Sequence, residues 1–274
     1  MIYLLVDTSN ILYRTFYGLP ISMKNSKGMT INAIQGTFIT IAKAIRVTNA
    51  DNIECVLEGK SLRRRKINPS YKKNRINKPK ELEEQIKSIP DIFSYSGFSL
   101  IDPTNEEEAD DALASRAVEL YKKGYKVFIL TNDKDLEAVL NEKINILKPT
   151  SKGIEIWDPN TLLKKRNILP EQVTNYLALI GDSSDNITGV PGIGPAKAKK
   201  LIKYSNIEFH ITDKEKLKLF KTAKDLISLN LKCPYTYITP KGNDPINTLK
   251  KYGCLKASKE YNGILNEPKQ TELF

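Results

Sequence analysis

Four short apolar runs, Ile2–Val6, Ile53–Leu57, Lys126–Leu130 and Ile144–Leu147, are interleaved with helical spacing at Ile31–Val47 and Ala109–Tyr121. Runs of that length without polar alternation suit strands buried on both faces, and helical crossovers between them suit parallel pairing. Roughly the first 150 residues therefore predict an α/β fold built on a parallel sheet. Asp7 ends the first run, Glu58 the second, and Asp133 and Asp135 follow the third. In an open sheet of this kind the functional crevice lies beyond the carboxyl ends of the strands, where these acids would converge. Glu108, Asp110 and Asp111 open the stretch 109–121, with Asn105 as its expected N-cap and Glu108 as capping-box partner. A further pair, Asp182 and Asp185, leads into the glycine loop Gly189–Gly194.

Taken singly, each acid has a structural explanation. An acidic first turn complements the helix dipole, Asp133 and Asp135 are turn formers, and Asp7 after a strand is a common N-cap. Their joint placement at strand ends instead favours divalent cations, because clustered carboxylates repel and otherwise take up protons. The chain carries 43 Lys+Arg against 32 Asp+Glu, a net charge of +11. Setting aside the nine acids named above leaves 23 facing 43 bases, so the surface outside the pocket carries ~+20, a footprint for a polyanionic partner. An acidic pocket inside a basic protein points to a nuclease. Cys55, Cys233 and Cys254 are odd in number and lack metal-ligand spacing, which suits reduced thiols and a cytoplasmic location. The apolar start Ile2–Val6 is too short for a signal peptide or a membrane span.

Beyond residue 150 the pattern turns helical. Pro170–Ile180 predicts a helix, Gly181–Gly194 a loop, and Pro195–Tyr204 a second helix with Pro at its first position. Gly192 and Gly194 permit close backbone approach to a phosphate, with Lys197, Lys199 and Lys200 supplying charge beside it. Such a helix-loop-helix grips DNA without reading sequence. The lysine-rich segment 60–100 contains a helical spacing at Lys78–Ile89.

Five stretches then carry a family resemblance: Leu5–Arg14, Pro69–Arg75, Glu108–Asp111, Asn132–Leu136 and the segment 180–201. In content and order they resemble the 5′ nucleases, which comprise the 5′ nuclease domain of bacterial DNA polymerase I, free-standing phage 5′ exonucleases and flap endonucleases. The resemblance implies a Rossmann-like nuclease core over residues 1–165 with a helical arch at about 70–100. A helix-three-turn-helix DNA-binding region would occupy 166–260, and a flexible tail 261–274. It implies two or more divalent ions, Mg²⁺ or Mn²⁺, that activate water and stabilise the scissile phosphate and leaving oxygen. Asp7, Glu108, Asp110 and Asp111 would hold one ion with Asp133 nearby, and Asp135, Asp182 and Asp185 would lie towards the second. Lys72 and Arg75 match the cations that meet the scissile phosphodiester. Arg14 resembles a first-helix phosphate contact, and Tyr71 either stacks on a terminal base or packs.

One position departs from the pattern. The family usually places Asp fourteen residues before the motif tyrosine, where this chain has Leu57; Glu58 is the substitute. The ending Gln270-Thr271-Glu272-Leu273-Phe274 resembles the peptide by which bacterial replication proteins dock on the sliding clamp, through Gln270, Leu273 and Phe274. The implied activity is 5′-3′ exonuclease and flap endonuclease cleavage of flapped or RNA-primed DNA by a free-standing monomer in a bacterial or phage-infected cell. The alternative is a flap or junction DNA-binding protein that has lost cleavage, for which Leu57 is the only support. An RNA-cleaving relative of similar fold is disfavoured by the 180–201 segment.

Overall fold

The computed structural model describes residues 1–74, 77–104 and 106–266. The four expected runs form strands β1 (Ile2–Asp7), β2 (Asn52–Val56), β4 (Lys126–Leu130) and β5 (Ile144–Thr150). Three further strands complete the sheet: β3 (Ser99–Pro103), β6 (Gly153–Trp157) and β9 (Tyr235–Ile238). Among the described residues this sheet has seven strands in the order β6-β5-β4-β1-β2-β3-β9. The five inner strands are parallel, and β6 and β9 close the edges antiparallel.

Helices cover both faces, which is why the inner strands need no polar alternation. On one side lie α1 (Thr8–Gly18), α2 (Asn32–Thr48), α4 (Lys80–Tyr95), α10 (Pro245–Lys251) and α11 (Leu255–Asn266), burying Phe38, Phe93 and Phe98 with Leu4 and Val6. On the other lie α5 (Ala109–Lys122), α7 (Val173–Ile180), α8 (Pro195–Leu201) and α9 (Lys214–Ile227), which pack Leu113, Leu177 and Phe220 with Leu5 and Ile129. Two short helices, α3 (Leu62–Ile67) and α6 (Pro159–Arg166), follow β2 and β6. No described helix is long and apolar enough to cross a membrane.

Several sequence expectations are corrected. The segment Pro170–Ile180 is not one helix: Pro170–Gln172 forms a 3₁₀ turn, and α7 begins at Val173. Helix α8 stops at Leu201 rather than Tyr204. The loop between α7 and α8 contains a two-residue ladder, β7 (Gly181–Asp182) with β8 (Ile187–Thr188). Glycine is required there, since a Cβ on Gly189 would lie 2.4 Å from the Ile180 carbonyl carbon. The N-cap of α5 is Glu108, with Asp111 accepting its backbone N–H at 3.2 Å, so the box is built one turn later than expected. Asn105 lies outside the described residues.

Strand order reverses at β1, with β2 and β3 to one side and β4 and β5 to the other. Such a switch point opens a crevice at the strand carboxyl ends, because successive crossovers leave on opposite faces.

Candidate active site

Asp7 ends β1 at this switch point. Its Oδ1 accepts the N–H of Asn10 at 3.1 Å, capping α1, and its Oδ2 accepts the Thr131 hydroxyl at 2.8 Å from the end of β4. Thr131 Oγ1 in turn accepts the N–H of Asp133 at 3.0 Å, which folds the acid-bearing turn back over the crevice. Gly59 brings the end of β2 against α5: a Cβ there would lie 2.2 Å from the carbonyl oxygen of Glu107. These contacts form a cleft of about 530 Å³ into which Asp7, Glu58, Glu108, Asp110, Asp133 and Asp185 all face, with Lys72, Lys78, Tyr13 and Tyr17 on its walls.

The acids divide into two electrostatic classes. Asp7, Asp110 and Asp133 carry no ion pair among the described residues. Burial, reinforced by Asp133, pushes the Asp7 carboxyl up to about 6 against its hydrogen bonds from Thr131 and Asn10. Burial and then the charges of Asp133 and Asp7 push Asp110 well above the usual carboxylate range. Glu108 belongs to the second class. Burial opposes its charge, but Lys72 and Arg64 outweigh that and hold its carboxyl below the usual range. Lys72 Nζ lies 2.6 Å from Glu108 Oε1 and 3.5 Å from Asp185 Oδ2, and Ser61 donates to Glu108 as well.

Three expected ligands stand back from the cleft. Asp111 is fully buried and bound by Arg64 through both oxygens, by Arg63 at 3.1 Å and by the N–H of Asn230 at 2.8 Å. Asp182 pairs with Lys134 at 2.8 Å and accepts both the N–H and the hydroxyl of Ser184. Asp135 is pushed up by burial and by Asp133, and its Oδ1 has no hydrogen-bond partner. Glu58 does reach the cleft wall but pairs with Lys78 at 2.5 Å.

Lys72 and Tyr71 are held by the loop between β7 and β8. Lys72 takes a left-handed backbone, φ 55°, with its N–H bonded to Asp185 O at 3.0 Å. Asn186 Nδ2 donates to Ser70 O at 2.9 Å. Tyr71 is only 3% exposed and packs into the core beside α5. Its hydroxyl lies 3.0 Å from Glu108 Oε2 and 3.2 Å from Asp185 Oδ2. Arg14 is exposed on α1, and Gly192, Gly194, Lys197 and Lys200 are exposed at α8, with Lys199 half-buried. Arg75, Gln270, Leu273 and Phe274 lie outside the described residues.

Sequence reasoning passed over Arg63 and Arg64, which tie α3 to Glu107, Glu108 and Asp111, and it passed over Lys78 and Tyr17 on the cleft wall. The Arg63-Arg64-Arg65-Lys66 run was the available signal, hidden because it reads as one more piece of basic surface.

Among the described residues no three acids converge closely enough to hold one ion with the side chains as they stand. The donor set nevertheless fits a hard divalent cation. Its acids offer hard carboxylate oxygens, those of Asp7 and Asp110 destabilised in charged form, and behind them lies a buried oxygen of Asp135 without a hydrogen-bond partner among the described residues.

Comparison with known proteins agrees with this arrangement. Residues 2–167 match the 5′-3′ exonuclease, N-terminal resolvase-like domain, and residues 168–233 the 5′-3′ exonuclease, C-terminal SAM fold. The chain is 33% identical to a 5′-3′ exonuclease of Aquifex aeolicus over 214 residues, 77% of this chain and 73% of that protein. It is 34% identical over 217 residues to the thermostable DNA polymerase I of Thermus aquaticus, covering 78% of this chain and 25% of the polymerase. In fold it is similar to the T5 5′-exonuclease solved with zinc, with a TM-score of 0.64 at 21% identity over 96% of this chain and 99% of that one. Flap endonuclease-1 of Methanococcus jannaschii gives a TM-score of 0.63 at 16% identity over 97% and 93%. The chain belongs to the 5′-3′ exonuclease family.

Proposed function

We propose that this nuclease is divalent-metal-dependent and cuts phosphodiester bonds near the 5′ ends of flapped and RNA-primed DNA, with Mg²⁺ as its working ion. The observation that carries the reading is the trio Asp7, Asp110 and Asp133 at the switch point, acids with no ion pair among the described residues, where burial makes the charges of Asp7 and Asp110 costly until a cation arrives. Asp7, Asp110 and Asp133, with Glu108 and Asp185, would hold the metal, and Asp135 would support it from behind. When bound, the metal supplies water activation and charge neutralisation at the phosphate.

Lys72 has a role that its pairing prepares. Its ammonium bridges Glu108 and Asp185 and is therefore available to a phosphate oxygen when those carboxylates turn to metal. Arg75, three residues on, would join it. Arg14 and the backbone at Gly192 and Gly194, with Lys197, Lys199 and Lys200, would bind the sugar-phosphate backbone of the duplex, independent of sequence.

The T5 relative was solved with divalent ions, and another T5 structure is a pseudo-enzyme-product complex with DNA and metal ions, which supports both partners here by analogy of fold. Glu58 would take the place of the usual strand-end acid once released by Lys78. The tail residues Gln270, Leu273 and Phe274 would tether the enzyme to a sliding clamp in the cytoplasm of a bacterial or phage-infected cell.

A labelled 5′ flap assay tests the reading. Cleavage should require Mg²⁺, stop in chelator, and be abolished in Asp110→Asn while flap binding persists; metal-independent cleavage, or full activity in that variant, refutes it. Deleting residues 270–274 should leave this activity intact and remove any stimulation by the clamp.

A further inference from the structure

Behind the acid-bearing turn lies a buried charge cluster outside the cleft. Glu137, in the 3₁₀ turn Asp135–Val139, is fully buried. Its Oε1 contacts Lys148 Nζ on β5 and lies 3.0 Å from the Arg166 guanidinium at the end of α6. Its Oε2 is buried with no hydrogen-bond partner. Lys148 sits 4.0 Å from the centre of the Trp157 ring, and Arg166 5.5 Å from it.

Charges taken out of water are costly, and apolar side chains of similar volume commonly pack as stably, so stability does not account for this cluster. Geometry does. Asp133 and Asp135 lie four and two residues before Glu137, in a turn whose internal bonds include Asp135 N–H to Asp133 Oδ1 at 2.9 Å and Glu137 N–H to Lys134 O at 3.1 Å, and which is fastened on its cleft side by Asp133 N–H to Thr131 Oγ1 at 3.0 Å and by Lys134 to Asp182 at 2.8 Å. The Glu137 side chain ties this short turn to the buried strand β5 and to the end of α6. An acid whose backbone is fixed in this way loses less freedom when it takes an ion.

We propose that Glu137, with Lys148 and Arg166, is a positioning cluster that sets the placement of Asp133 and Asp135, and through them the affinity of the acid site for divalent metal. The inference rests on the metal-dependent activity proposed above and adds residues that do not themselves touch the ion.

Mn²⁺ binding to the full chain, measured by titration calorimetry without DNA, tests it. Glu137→Gln should weaken binding on the order of 10-fold. The Mg²⁺ concentration for half-maximal cleavage should rise in parallel, while kcat at saturating Mg²⁺ is unchanged. Because Glu137→Gln leaves Lys148 buried without its counter-charge, the apolar pair Glu137→Leu with Lys148→Met serves as a second variant, and it should show the same loss of affinity in a folded protein. Unchanged Mn²⁺ affinity in the folded double variant overturns the positioning role alone. Failure of the wild-type chain to bind Mn²⁺ overturns the metal-dependent reading beneath it.

Discussion

Asp7→Asn should stabilise the metal-free protein while it removes cleavage. Asp7 is 3% exposed, and its carboxyl is pushed from 3.8 up to about 6, chiefly by burial. That difference of roughly two pH units corresponds to about 3 kcal/mol of stability withheld from the folded state once Asp7 is ionised. The amide keeps an acceptor for the Asn10 N–H but turns an NH₂ towards the Thr131 hydroxyl, a disturbed hydrogen bond that costs about 1 kcal/mol. The net gain is therefore about 2 kcal/mol at pH 7.5. Its pH dependence has a definite sign. The folded pKa is the higher one, so the contribution of protonated Asp7 is fully present below pH 3.8 and is lost as pH rises through about 6. The advantage of the variant should accordingly be largest above pH 6, shrink at pH 5, and vanish or reverse near pH 4. Urea unfolding in EDTA at these pH values, with the m-value checked for constancy, measures the difference. Saturating Mg²⁺ should invert the order, since only the wild type gains fully from ligand binding to its native state. A variant less stable than wild type at pH 7.5 in EDTA, or a difference that does not change with pH, would refute the reasoning.

Three further outcomes follow from the same geometry. Glu58→Gln should raise the Mg²⁺ concentration needed for half-maximal cleavage, and an unchanged metal titration would leave Glu58 as a surface partner of Lys78. Arg64→Ala should destabilise the fold by about 3 kcal/mol in urea, because Asp111 would stay buried with only Arg63 to pair it; a loss under about 1 kcal/mol would mean that the network relaxes. Lys197→Ala should weaken duplex binding and make the salt dependence shallower by about one unit of slope, and a changed sequence preference with the slope intact would contradict a backbone contact.

What the sequence made legible was governed by periodicity. Strands β1 and β4 are nearly continuous apolar runs and β5 a mostly apolar one, and Asp7, Asp110 and Asp133 reach the cleft because strand ends and a helix start are fixed once those runs are paired. Strand β3 was illegible because Ser99-Leu100-Ile101-Asp102-Pro103 is short and ends in Pro, and β9 because its place at the sheet edge depends on a chain that returns after the helical region. Two of the acids that were placed in the site from sequence but stand back from it share one physical cause. Asp111 and Asp182 are claimed by cations, Arg64 and Lys134, whose approach depends on tertiary packing. A carboxylate in a helix first turn looks the same in sequence whether it faces a metal or an arginine. Here the two faces of one turn separate these fates: Asp110 looks into the crevice and bears an unrelieved charge, whereas Asp111, one residue on, anchors α3 and the end of α9 through Arg64. Arg64 also touches Glu108 at 3.2 Å, so the same guanidinium links α3, the end of α9 and a cleft acid that Lys72 already pairs.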